Sequence, residues 1–339
     1  MNIILISTLF KTAIIFLFII FCIVAVFYTE VLVSSIFSRK YYTPYGGNPI
    51  RRLLKLLTKK EIFLRRIDSS FFFNLIPILS VIFALIPISI IPICESYYFK
   101  GMKQTGEIFS TEYGIFFFFA FSSFNIFALI WRGYCVKNEL ITISCVRAVY
   151  REMTCRAPIL ITVFSMVVFY KSYHLEQIVL FQKQNHWGMI QQPLAAFVFF
   201  ISLMAELGKA PFDTAENYYE LNRGHGAECF GVKGFFLEIA TQIRSIVLML
   251  IFICFFMGGY EIFPLVNSFI NLNSNYVFIA QGGSLLFKVM LVVVTSTLLQ
   301  LLIPHYRPKD LLSFGQRILL PLAFINLLIV VAGQYFIST

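Results

Sequence analysis

The polarity of the chain changes in long blocks. Apolar runs of about 18 residues or more recur along it, separated by shorter stretches that hold most of the charge. Coiled as helices, runs of that length match the hydrocarbon thickness of a bilayer. They predict eight spans over about residues 4–30, 71–96, 113–132, 157–180, 190–206, 235–258, 277–303 and 317–337. The fifth is short and opens near Pro193, which predicts a tilted or partly broken helix. The expected fold class is an all-α polytopic membrane protein, with residues 1–339 forming a single membrane domain. No segment is long and polar enough for a separate soluble domain.

Two polar stretches carry more pattern than a plain connector. In NPIRRLLKLLTKKEIF, residues 48–63, Ile50, Leu53, Leu54 and Leu57 follow the helical period, while Arg51, Arg52, Lys55, Lys59 and Lys60 supply the polar side. Asn48 followed by Pro49 is a good helix start. An amphipathic helix lying in the membrane interface is expected, against the plainer reading of a basic connector that only enforces topology. The second stretch is the loop 205–234, AELGKAPFDTAENYYELNRGHGAECFGVKG. It holds Glu206, Asp213, Glu216, Glu220 and Glu228, five of the chain's 17 acidic residues. Gly208 and Pro211 end the preceding helix. Asp213, Glu216 and Glu220 fall at i, i+3 and i+7, one face of a helix. Crowded or desolvated carboxylates resist ionising, which suits proton transfer at a membrane edge. The plainer reading is a solvated acidic loop.

Charge orients the bundle. Loops on one side, residues 31–70, 132–156, 206–234 and 305–317, hold twenty of the 27 Lys and Arg. The opposite loops hold Lys100, Lys103, Lys171 and Lys183. The basic face is expected to be the cytoplasmic or matrix side, with both termini opposite. Net charge of +10 is thus accounted for by topology, and nucleic acid is not an expected partner. The chain is 59% hydrophobic and 13% charged, about half the charged share of a soluble domain. Forty phenylalanines hint at an AT-rich genome, organellar or bacterial. The first apolar stretch is too long for a signal peptide and reads as a permanent helix.

Seven cysteines form no C-x-x-C pair and four histidines lie far apart in sequence, so neither a disulfide framework nor a metal motif is visible. Glycines in the acidic loop read as turns, and no nucleophilic triad or phosphate loop is present. Before the fourth span, VRAVYREMTCRAPIL places Arg147, Arg151, Glu152 and Arg156 close together. Glu152 and Arg156 are one turn apart and are candidates to pair. Arg244, two turns into the sixth span, is expected to face protein or water. Lys11 and Lys288 read as snorkelling cations without a role.

The motif AELGKAPFDTAENYYEL resembles the AE-x-x-R-x-PFD-x-x-E-x-E-x-EL motif of subunit 1 of respiratory complex I. Further segments match that family in order. TPYGGNPIRRLLKLLTKK resembles its PYG and the amphipathic helix ending in KLLTKE. FSSFNIFALIWRGY resembles its SS-x-N-x-x-x-LIWAGW. VRAVYREM resembles LRAVAQ, and HYRPKDLL with ILLPL resembles R-x-R-x-DQL and FLPL. The resemblance covers nearly the whole chain.

It implies the membrane subunit of a proton-pumping NADH:ubiquinone oxidoreductase, which lines the quinone chamber and couples quinone reduction to proton translocation. Ubiquinone would be a substrate. No cofactor would be bound by this chain, and the iron–sulfur clusters and flavin would belong to partner subunits. Implied partners are the other complex I membrane subunits, the peripheral-arm subunits at the quinone site, and membrane lipids. The implied compartment is the mitochondrial inner membrane, or a bacterial plasma membrane. The implied chamber and coupling residues are Glu30, Arg147, Glu206, Lys209, Asp213, Glu216, Glu220 and Glu228, with no metal and no catalytic residue. Lys209 stands where the family has Arg, Tyr218 where it has Glu, and Val31 where an Arg follows the first-helix Glu. Arg156 stands where the family has a carboxylate. Glu152 is the candidate to supply the displaced carboxylate, with Arg156 paired to it or to an acid of the 213–228 loop. Glu238 and Thr241 both remain open as the match to a later family Glu. The alternatives are the related subunit of an energy-converting hydrogenase or formate hydrogenlyase, an unrelated ion or solute transporter, and a purely structural scaffold.

Overall fold

The computed structural model describes residues 2–38, 55–58, 70–99, 102–104, 106–136, 138–209, 211–212, 231–262, 274–304 and 306–338. Long helices dominate: α1 (Asn2–Ser38), α2 (Ser70–Leu85, continued by a 3-10 turn Ile86–Ile90), α3 (Gly114–Cys135), α4 (Glu139–Tyr170), α5 (Leu175–Gln184), α6 (Gly188–Gln191), α7 (Pro193–Glu206), α8 (Val232–Phe256), α9 (Ser274–Leu302), α10 (Pro308–Phe314) and α11 (Leu320–Ser338). A π-helical turn, Gly315–Leu319, fuses α10 to α11. The described strands are the hairpin β1 (Tyr97–Phe99) and β2 (Met102–Gln104). Seven helical segments are long and apolar enough to cross a bilayer, and the shorter α7 adds an apolar helix. The expected polytopic all-α class is therefore observed. Of the expected interfacial helix, Lys55–Thr58 are described and helical. The rest of 48–63, and residues 213–230 of the acidic loop, lie outside the described residues.

Helix α8 is the most enclosed span. It packs against α2, α9, α5, α7 and α1, while α4 packs against α3, α7 and α11. The core between them is aliphatic and aromatic, with Ile246, Leu250, Phe252, Ile253, Phe256, Phe199, Ile159 and Met166 all buried. The outer faces are just as apolar: Phe16, Phe21, Phe116, Phe127, Leu328 and Ile329 are exposed. On a soluble protein such surfaces would aggregate. On a bilayer-spanning one they face acyl chains.

One boundary differs from expectation. The connection expected over 132–156 shrinks to a short turn, and α4 begins at Glu139. Asn138 caps it, its side chain accepting a hydrogen bond from the Leu140 amide at 3.2 Å. The charged segment Arg147–Arg156 is helical, not a loop. Its charges are satisfied by neighbouring helices, so hydropathy alone misreads it as a connector.

Polar side chains lock the helices where water is absent. Asn326 of α11 donates to Ser165 Oγ of α4 at 2.9 Å and to Gln192 Oε1, just before α7, at 3.1 Å. At the far end of α8, the carbonyls of its last turn have no helical partner. Gln182 of α5 supplies one: Nε2 donates to the Cys254 and Phe255 carbonyls, both at 2.9 Å. Its Oε1 accepts from the Gly188 and Gly258 amides at 3.2 and 2.9 Å. Lys288, expected to snorkel, is fully buried instead. Its Nζ donates to the Gly259 carbonyl at 2.9 Å and the Glu261 carbonyl at 2.6 Å, over the ring of Trp187. A cation at the negative end of the α8 dipole is electrostatically favoured.

Gln182→Leu is expected to strand four buried backbone groups, each worth roughly 1–3 kcal/mol when left unpaired. Thermal unfolding of the assembled protein should show a loss of at least about 3 kcal/mol. A loss below about 1 kcal/mol would mean that water replaces the amide.

Candidate functional site

The alternating direction of the spans gathers the charged ends of α1, α4, α7 and α8 at one end of the bundle. Three helices each bring charge to a common point. Glu206 is the last residue of α7, at the negative end of its dipole, a position that disfavours a carboxylate. Two arginines offset this. Arg156 of α4 donates through Nη2 to Glu206 Oε1, and Arg244 of α8 donates to the same oxygen at 3.1 Å. The other amino group of Arg244 donates to Glu152 Oε1 of α4 at 2.7 Å. Asn125 of α3 donates to both Glu152 oxygens at 3.1 and 3.3 Å. The result is an alternating series, Glu152–Arg244–Glu206–Arg156, with no net charge. Both carboxylates are almost wholly buried.

Burial decides how these charges must behave. Desolvated ions are costly unless paired and hydrogen-bonded, and breaking such a pair typically costs about 3–5 kcal/mol. Arg244 is the shared member, since it holds both acids. Arg151 is buried beside them, its guanidinium lying against Gly208. Gly208 has φ of +64°, and an added Cβ would fall 2.5 Å from that guanidinium. Glycine is therefore required twice here, for the left-handed turn and for the space.

After this turn the chain is fastened on both sides. Lys209 Nζ donates to Glu30 Oε1 of α1 at 2.6 Å. The Tyr306 amide donates to the Pro211 carbonyl at 2.9 Å, and Phe212 stacks on Tyr306 at 5.5 Å and on Phe314 at 6.3 Å. The first residues of the acidic loop are thus attached to the first span and to the segment that leads into the last.

The structure brings together Glu206 with Arg156, and Lys209 with Glu30, as two adjoining groups. Arg147 is half-buried on α4 at the same end. Glu152 is buried in the cluster, but its ionic partner is Arg244, and Arg156 turns to Glu206 in place of the expected Glu152 pair. The reason is geometric: Arg244 reaches across from α8 and occupies Glu152, leaving Arg156 to the carboxylate at the end of α7. Asp213, Glu216, Glu220 and Glu228 lie outside the described residues. Sequence reasoning gives no role to Asn125, Arg151 or Arg244. A lone arginine within an apolar span is the available signal for Arg244. Glu238 and Thr241 lie on α8, where the Thr241 hydroxyl donates to the Glu238 carbonyl at 2.8 Å.

Comparison with known proteins agrees with this arrangement. The sequence profile described as NADH dehydrogenase matches residues 10–331. A membrane-subunit relative from the F420H2 dehydrogenase of Methanosarcina barkeri is 29% identical over 279 residues, covering 81% of this chain and 77% of that protein. The corresponding NADH-quinone oxidoreductase subunit of Helicobacter pylori is 27% identical over 309 residues, covering 89% and 90%. That of Rhizobium etli, also named for NADH-quinone oxidoreductase, is 25% identical over 283 residues, covering 83% and 78%. With its apolar spans, its charged cluster at one end and a profile match along nearly its full length, the chain belongs to the NADH dehydrogenase family of complex I membrane subunits.

Proposed function

We propose that this chain forms the quinone chamber of a proton-pumping NADH:ubiquinone oxidoreductase together with a peripheral arm docked on its basic face. It would couple quinone reduction there to proton translocation. The observation that carries this reading is the buried alternating series Glu152–Arg244–Glu206–Arg156 at the foot of the acidic loop. Ubiquinone is the substrate, the electrons arrive from iron–sulfur clusters and flavin in partner subunits, and this chain binds none of these cofactors. Reducing a quinone by two electrons takes up two protons and changes the charge beside the loop. Asp213, Glu216, Glu220 and Glu228 answer that change by shifting their protonation. Lys209 and Glu30 hold the start of the loop, Arg147 and Arg156 set the field, and Glu206 passes the change to Arg244 and Glu152. Glu152 thereby serves where the family has a carboxylate at the position of Arg156.

The electron donor is a property of the partner subunits. NADH is the donor in the names of the Helicobacter and Rhizobium relatives, whereas the Methanosarcina relative is named for F420H2. A deazaflavin donor is therefore the second reading, and assaying the purified complex with each donor separates the two. The home membrane is one that carries a respiratory chain. The phenylalanine-rich composition favours the mitochondrial inner membrane, and the bacterial relatives favour a plasma membrane; fractionation of the source cells decides between them.

In vesicles containing the purified complex, a variant with Asp213→Asn, Glu216→Gln and Glu220→Gln keeps side-chain size and removes titration. It should assemble at wild-type yield while quinone-coupled proton pumping falls about tenfold or more, equivalent to about 1.4 kcal/mol in the limiting barrier. Wild-type pumping and turnover in that variant would refute the coupling role.

A second expectation concerns Lys209. Arginine also reaches Glu30, so Lys209→Arg should retain activity within about twofold. Lys209→Met, which removes a partly exposed pair worth up to about 1 kcal/mol, should lower quinone reduction measurably. If the methionine variant matched the arginine variant, the Lys209–Glu30 pair would have no part in the activity.

A further inference from the structure

At the other end of the bundle, two connections meet. The segment that follows the β-hairpin is drawn tightly against the end of α2. The Ile93 amide donates to the Gly106 carbonyl at 3.3 Å, and the Ile108 and Phe109 amides both donate to the Ser89 carbonyl at 3.0 Å. Gly106 is in such close approach to the Cys94 carbonyl that no side chain would fit. This packing drives Glu107 into the protein, where it is 1% exposed. From the other side, α4 ends on Lys171 in the left-handed region (φ +53°), and the Ser172 hydroxyl accepts a hydrogen bond from the His174 amide at 3.1 Å. His174 sits immediately before α5, and Glu176 lies in its first turn.

Three side chains from these two rigid pieces converge. His174 Nε2 is 3.1 Å from Glu107 Oε1, and one ligating atom each from Glu107, His174 and Glu176 lie within 4.8 Å of one another. Bonds of about 2.0–2.2 Å from a tetrahedral zinc to nitrogen and oxygen place neighbouring ligand atoms about 3.3 Å apart, close to the His174–Glu107 separation. His174 Nδ1 is buried with no hydrogen-bond partner among the described residues, so the polar surroundings of the ring are incomplete. Glu112 adds a further negative charge to its field.

We infer that Glu107, His174 and Glu176 form a binding site for a divalent transition-metal ion, with zinc the best fit, on the face opposite the basic loops. Two carboxylates and one neutral imidazole balance a dication without residual charge. The imidazole selects against magnesium and calcium, which prefer all-oxygen sites. A water completes four-coordination at the half-exposed side of the site. A bound ion clamps the segment after the β-hairpin to the α4–α5 turn, far from the Glu206 cluster. Sequence spacing hides the site, because its ligands come from two separate connections.

The test uses the intact purified complex, stripped with chelator, incubated with zinc and passed through a desalting column. Wild type should retain one more zinc per complex than His174→Gln or Glu176→Gln. Equal zinc in wild type and variants overturns the proposal. A second measurement needs no variant. Acylation of histidines by diethylpyrocarbonate at mildly alkaline pH is read peptide by peptide on the wild-type complex, with His186, which is exposed, as the control. Zinc should lower labelling of His174 by about tenfold and leave His186 unchanged. Labelling of His174 that does not respond to zinc overturns the proposal as well.

Discussion

Arg244 is the interaction on which the charged end of this bundle depends. A guanidinium remains protonated under any physiological condition, so once it is placed within an apolar span it must find carboxylates or disrupt the packing. It finds two, on different helices, and so fixes the relative positions of α4, α7 and α8 at one point. Glu206 sits at a helix end that repels it, and Glu152 lies inside the packed helices beyond reach of water. Neither charge would be tolerated there alone. The cluster is a mutual solution in which each charge is tolerable because of its neighbours, and removal of any one leaves the others exposed to the low dielectric.

The two ends of α8 solve the same problem with different chemistry. At the Arg244 end the partners are full charges in alternation. At the other end the last-turn carbonyls are satisfied by a neutral amide, Gln182, and the turn that follows by the buried ammonium of Lys288. The Gln182 end has four fixed hydrogen bonds around one side chain and suits a rigid anchor. The Arg244 end can redistribute charge among its members when one of them gains a proton. The helix most enclosed in the bundle is thus held firmly at one end and electrically adjustable at the other.

Much of this is legible in the sequence. Hydropathy locates most of the spans to within a few residues, the start of α4 and the end of α1 being the main exceptions, and the resemblance points to Glu30, Glu206 and Lys209 without any contact in view. The start of α4 is misread because Arg147, Arg151, Glu152 and Arg156 look like a loop when each is scored for its own polarity. The burial of Glu152 and Arg156 depends on partners that lie far away along the chain, Arg244 and Glu206. Gln182 and Lys288 are opaque for a related reason: a polar residue near a helix end looks ordinary until the carbonyls that it serves are known. Arg156 stands out in the sequence as a departure, yet its partner is decided by which carboxylate Arg244 leaves room for.

The neutrality of the Glu152–Arg244–Glu206–Arg156 series has a consequence for its relation to the membrane voltage. A group of balanced charges experiences almost no net force in a transmembrane field, so small displacements of these helices do little electrical work. One added proton gives the series a net charge of one. Moving that charge through the full field then involves about 2.3 kcal/mol per 100 mV. Protonation would therefore make a site that is insensitive to voltage into one that responds to it, and the protonation state alone would set how strongly the energised membrane acts on this end of the bundle.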